Sequence, residues 1–200
     1  MVLSSFTSSG AGTAQDGYLA GSFLVAMPGM LDPRFDRTVI YLCAHDANGA
    51  MGFVVNRLSG NLDLRALLSQ IQQPTTGLLL NNPRVYHGGP VEPGRGFILH
   101  SLDYRQENTF CIGDDVGVTA TIDLLDKISQ GAGPKQALIT LGYTGWAAGQ
   151  LDTELLHNGW LNAPGDAELL FSSDNDLKWE RAVSKIGIRL DHFSGAAGHA

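Results

Sequence analysis

Cysteine, charge and long apolar runs are all scarce in this 200-residue sequence, and each scarcity argues against a class of protein. Its two cysteines, Cys43 and Cys111, lie far apart, and neither belongs to a C-x-x-C pair or a Cys/His cluster of zinc-binding spacing. No disulfide scaffold is expected, and no metal site is assigned. Neither is needed for folding, since a chain of this length buries about 70% of the surface its unfolded form exposes. No apolar run approaches the roughly 18 residues of a membrane span. The opening MVLSSFTSSGAGTAQDG lacks the basic start and apolar stretch of a secretory signal, and reads as a flexible polar tail over residues 1–17. A reducing cytoplasm without membrane association is the expected setting.

Charged residues make up only 16% of the chain, against about 25% in an average domain. Much of the surface is therefore neutral and suited to self-association. Lys and Arg number 13 against 20 Asp and Glu, and the resulting charge of −7 repels a phosphate backbone unless basic groups cluster locally. Nucleic acid is a disfavoured partner. Glycine, by contrast, is abundant at 25 of 200 residues, where about 7% is usual. The glycines fall between apolar runs, which predicts tight turns and close backbone approaches.

Apolar periodicity and turn chemistry set an order of elements. Strands are predicted over 19–27, stopped by Pro28-Gly29, over 38–43 and over 51–56, the last two joined as a hairpin through Asn48-Gly49. A helix follows over 61–72, with Asp63 near its start. Strands at 84–87 and 96–101 flank the turn HGGPVEPGRG, and a short strand or hairpin over 109–118 is interrupted at Gly113-Asp114-Asp115. The remainder reads as a helix over 121–130, a strand over 137–143, a helix from Trp146 to Asn158, a strand over 166–171 and a last helix ending at Gly187. This irregular alternation predicts an α+β fold with a mixed or mainly antiparallel sheet and flanking helices. No repeat or linker is visible beyond Gly17, so residues 18–200 are expected to form one domain.

The blocks GSFLVAMPGMLDPRFDRTVIYLCAHDANGAMGFVVNR, VYHGGPV with RGFILHS, LGYTGWAAGQLDTELLHNGWL and the terminal AAGHA resemble the AlgH/YqgE family in order and spacing. The resemblance runs from Leu19 to Ala200. One departure is Asp152, a carboxylate one methylene shorter than the glutamate of that family. The resemblance implies a curved, barrel-like sheet surrounded by helices, and no established catalytic residue. Some members are named as transcriptional regulators of alginate synthesis, and family genes often neighbour one for a resolvase-like nuclease; neither association is a mechanism.

The sharpest local feature is Gly142-Tyr143-Thr144-Gly145-Trp146, where a strand is predicted to enter a helix through glycines. Such a junction aims backbone N–H groups at an anion, with the Thr144 hydroxyl as a further donor and Trp146 as a flat wall. The plainer alternative is a tight turn with Trp146 in the core. On the following helix Gln150, Glu154 and His157 fall at i, i+4 and i+7, opposite Leu151 and Leu155. They form either an acid/base pair or a solvated stripe. Gly142, Tyr143, Thr144, Gly145, Trp146, Gln150 and Glu154 are thus the candidate ligand-binding residues, with no catalytic residue assigned.

No nucleotide fingerprint or G-x-S-x-G elbow is present, and no cofactor is expected. His45, His87 and His100 have no metal-ligand spacing, and Cys43, i and i+2 with His45, reads as a buried thiol in preference to a nucleophile. Lys178, Arg181, Lys185 and Arg189 form a partial basic stripe on the last helix, diluted by Asp176, Glu180 and Asp191. The leading functional expectation is a binding or regulatory protein for a small anionic ligand or a protein partner. The alternatives are an enzyme, a hydrolase or transferase using Glu154, His157 or Cys43, and a DNA-binding transcriptional regulator.

Overall fold

The fold is organised by one curled sheet, in which nearly every central strand is buried on both faces. The computed structural model describes residues 18–28, 30, 32–72 and 82–188; the expected tail at 1–17, Arg189, Asp191 and the AAGHA terminus lie outside them. In chain order come β1 (Phe23–Ala26), a 3-10 turn at Pro33–Phe35, β2 (Val39–Asp46), β3 (Gly49–Val54), β4 (Leu58–Asp63) and α1 (Leu64–Gln70). Then follow β5 (Arg84–His87), β6 (Val91–Ser101), β7 (Phe110–Ile112), β8 (Val116–Thr119), α2 (Ile122–Ser129), β9 (Ala137–Ala147) and α3 (Gln150–Leu156). β10 (Trp160–Ala163), α4 (Ala167–Phe171) and α5 (Asn175–Lys185) complete the order. Strands neighbour one another as β10-β1-β2-β3-β9-β6-β8-β7, all antiparallel, while β5 runs parallel to β9 and carries β4. This is the mixed, mainly antiparallel and curled α+β sheet expected from the sequence.

Burial of both faces explains why β1 reads as a continuous apolar run rather than an alternation. Phe23 and Val25 point into the large inner cluster, where Phe97 packs against Phe53 and Tyr143 and where α4 and α5 add Leu169, Leu170, Trp179 and Val183. Leu24 and Ala26 point the other way, into a second cluster capped by α3 through Leu151 and containing Trp146 and Trp160. A third cluster joins α1 and α2 to β5, β6 and β9. Among the described residues no helix is long and apolar enough to cross a membrane.

Three predictions need correction, each for a local reason, and one strand is added. The helix expected over 61–72 starts only at Leu64, because Asp63 is its cap, accepting from Ala66 N at 2.8 Å; the residues before it form β4. The hairpin among the alternatives for 109–118 is what forms, as β7 and β8, with Gly113-Asp114-Asp115 as the turn that separates them. The strand expected over 166–171 is helix α4, capped by Asp166, which accepts from Leu169 N at 2.7 Å. The short strand β10 went unpredicted. Most consequentially, β9 does not stop at Tyr143: it continues to Ala147, and the helix begins at Gln150, after Gly149 in the left-handed conformation.

Glycine lets β9 do this. Gly142 has φ of 72°, and a Cβ there would run into the Gly89 carbonyl, just as a Cβ at Gly89 would run into the Tyr143 carbonyl. The HGGP turn and β9 therefore touch backbone to backbone. The kink also resets the pleat. Leu138 faces inward and Ile139 outward, yet Tyr143 faces inward again and Trp146 outward, a parity that an unbroken strand does not allow.

Candidate functional site

Trp146, turned outward by the reset at Gly142, meets α3 from one side and β10 from the other. Its indole N–H donates to Glu154 Oε2 at 2.9 Å, and the indole N–H of Trp160 donates to the same oxygen at 2.8 Å. Gln150 Nε2 donates to Glu154 Oε1 at 2.9 Å, while Gln150 Oε1 accepts from Ala147 N at 3.0 Å. One carboxylate is thus held by three neutral N–H donors, with the two indole rings 82° apart. The spacing follows from the helix: Gln150 and Glu154 are one turn apart, on the flank of the stripe that buries Leu151.

This clamp lines a cleft of about 600 Å³. The 3-10 turn brings Phe35 edge-on to Trp160 at 5.5 Å, and the chain before it adds Met27, Pro28 and Met30. Pro90 and Val91 close another side. Asn56 and Arg57 fix that turn: Asn56 Nδ2 donates to the Arg37 carbonyl, and Arg57 donates to the carbonyls of Arg34 and Asp36 at 2.6 and 2.7 Å. Asp32 and Arg34, also in the lining, are paired at 2.7 Å, and Arg34's hydrogen bonds lower the pKa of the Asp32 carboxyl. His157 lines the cleft with Nδ1–H donating to the Thr153 carbonyl at 2.7 Å, which leaves Nε2 as the outward nitrogen.

Of the residues expected to bind a ligand, Thr144, Gly145, Trp146, Gln150 and Glu154 line this cleft, whereas Gly142 and Tyr143 do not. Tyr143 belongs to the inner cluster. The chemistry also differs from expectation. Residues 144–147 are paired with β3, so they do not form a strand-to-helix junction that offers free N–H groups to an anion. The Thr144 hydroxyl is committed to the Gly52 carbonyl at 2.9 Å. Trp160, Phe35, Met27 and Met30 went unassigned in the sequence; the signal for Trp160 was its Gly-Trp pair, matching the one at Gly145-Trp146.

A second cavity of about 420 Å³ lies among Ser101, Asp103, Arg105, Asp114, Asp115 and Gln136. It has no aromatic wall, and Asp103 is already engaged by Ser101 Oγ and the Lys135 N–H. Among the described residues no group of three or more His, Cys, Asp or Glu is arranged to hold a metal.

Residues 23–191 match the profile of the AlgH-like family. The chain belongs to the AlgH-like family. It is 51% identical to a protein of Bradyrhizobium diazoefficiens over 92% of this chain and 89% of the relative, and 49% identical to one of Mesorhizobium japonicum over 92% and 94%. The AlgH protein of Pseudomonas aeruginosa, solved in solution, has the same fold at a TM-score of 0.76 and 39% identity, with coverage of 94% of this chain and 99% of that one. A crystal structure of a Corynebacterium diphtheriae protein shares the fold at a TM-score of 0.60 and 20% identity, over 75% and 78%.

In this AlgH-like fold the other candidates separate. Cys43 does not join the cleft: it is in the inner cluster, where burial pushes its thiol pKa well up. A bulge between Leu42 and Ala44 breaks the i, i+2 relation, so His45 lies toward α3 with Nε2 3.6 Å from Asp152, beyond hydrogen-bond reach. His87 is exposed. His100 is buried within a relay in which Gln106 N donates to Thr109 and the Thr109 and Thr119 hydroxyls lead to His100 Nε2, while Nδ1–H donates to the Ser101 carbonyl. Burial lowers its pKa and favours the neutral ring. The basic stripe of the last helix also dissolves. Lys178 is fully buried and donates to the carbonyls of Val55 and Leu170 at 2.7 and 2.9 Å; Arg181 pairs with Glu168 and Lys185 with Asp166.

Proposed function

We propose that this AlgH-like protein is a cytoplasmic small-molecule binding protein whose site is the cleft around Glu154, Trp146 and Trp160. The observation that carries the reading is the carboxylate clamp: a charged group held rigidly by two indoles and an amide at the wall of an aromatic cleft. Its volume of about 600 Å³ falls in the range of small-ligand sites, which are mostly apolar with a few fixed polar groups. Rigidity of this kind reduces the ordering cost of binding. A regulatory role would follow if occupancy altered the surface around α3.

The enzymatic alternative is weaker on geometry. Glu154 and His157 share the cleft, but the contacts of Glu154 are to Trp146, Trp160 and Gln150, and the His157 Nδ1–H is spent on the Thr153 carbonyl, so no hydrogen bond joins the two as an acid/base pair. Cys43, the proposed nucleophile, lies in the core. Direct DNA binding through the last helix has lost Lys178 as a contact, and among the described residues of the stripe Arg181 and Lys185 are already paired with acids.

The test is a small-fragment library of mixed charge, mapped by backbone amide shifts. The expected hits displace resonances of residues 150–160 and of Phe35. Hits scattered over the surface, or grouped at Asp103 and Asp114 instead, would remove the cleft as the site.

A further inference from the structure

We propose that the molecule the cleft takes carries a protonated amine on an apolar or aryl body. The inference rests on the reading above and deepens it. Two carboxylates and one guanidinium line the cleft. Arg34 cancels Asp32 through a three-contact pair. Nothing cancels Glu154. Its donors are two indole N–H groups and an amide, all neutral, and among the described residues no Lys, Arg or His nitrogen pairs with it. Neutral donors orient a carboxylate and satisfy its lone pairs, but they leave its charge uncompensated, and a charge set against apolar walls attracts a counter-charge more strongly than one in open water.

The surroundings fit an amine better than a metal ion or an anion. A metal would need several oxygen or nitrogen ligands converging on it, whereas the neighbours of Glu154 are indoles and Gln150. An anion would meet the charge of Glu154 with Arg34 already committed. A protonated amine gains from the carboxylate, while Trp146, Trp160 and Phe35, set edge-to-face at 5.5 to 6.1 Å, give its aryl body aromatic walls to pack against. Its apolar body then has Met27, Met30 and Val91 to cover it. The net charge of −7 draws cations towards the chain as a whole.

The test uses three small probes of nearly equal size on the full chain: benzylammonium, benzyl alcohol and benzoate, each titrated calorimetrically and by tryptophan fluorescence. Benzylammonium is expected to bind saturably and at least about tenfold more tightly than the other two, and Glu154→Gln is expected to erase that preference. The charge series on the unaltered protein keeps the proposal testable if the variant fails to fold. Benzoate binding as tightly as the amine, or benzyl alcohol doing so, would overturn the amine while leaving the cleft as a binding site. Saturation by none of the three would also overturn it, and the fragment map then decides separately whether the cleft binds anything.

Discussion

Lys178 shows how a single side chain can be read wrongly from spacing and rightly from burial. Its ammonium is fully enclosed, bonded to the carbonyls of Val55 and Leu170 and 5.5 Å from the Tyr86 ring, with no carboxylate partner among the described residues. Burial pushes its pKa down to about 7. In the unfolded chain the same group holds its proton up to about 10.4. Above pH 7 the unfolded state therefore binds more protons, and stability rises with pH. Cys43, with its thiol pKa raised by burial, works in the opposite direction from about pH 8.5. Between pH 7 and about 8.5, urea unfolding should show stability rising by up to about 1.4 kcal/mol per pH unit. Lys178→Met should flatten that rise. An equal slope in the variant would show that Lys178 is not its source.

At the scale of elements, the decisive feature is the kink in β9. Replacing Gly142 by Ala puts a Cβ into the Gly89 carbonyl and a side chain at a φ of 72°, and should cost about 3 kcal/mol or more, or prevent folding. Gly94→Ala, with nothing within 4 Å of the new methyl, should change stability by less than about 0.5 kcal/mol. Chemical denaturation of the pair checks both. The sequence disclosed much around this kink: the β2–β3 hairpin through Asn48-Gly49, α2, α5 and a mainly antiparallel sheet were legible from turn residues and apolar spacing, while the curl of that sheet was implied by the family resemblance. β9 was not, because glycines inside a strand look like glycines that end one. α4 was misread because a short apolar run has no decisive period, although Asp166 was present as its cap. The same logic divides the site. The i, i+4, i+7 spacing placed Gln150, Glu154 and His157 on one face, but only a tertiary contact puts Trp160 and Phe35 beside them.

Across the whole molecule, the cleft joins one continuous segment, from Trp146 to Trp160, to a turn more than a hundred residues earlier in the chain. β9 supplies Trp146, α3 the carboxylate, β10 the second indole, and the turn pinned by Asn56 and Arg57 the aromatic wall. All four rest on the second apolar cluster, so the site is as rigid as the packing beneath it. The chain's three tryptophans give a direct readout, because Trp179 donates to the Ala26 carbonyl and stands apart from the clamp. The decisive measurement is the set of indole N–H resonances in the ¹H–¹⁵N spectrum of the protein and of Glu154→Gln. Two signals, those of Trp146 and Trp160, should move together in the variant and again on adding benzylammonium to the unaltered protein, while that of Trp179 stays in place. If Glu154→Gln leaves those two signals where they were, or shifts Trp179 equally, the carboxylate clamp does not exist as described.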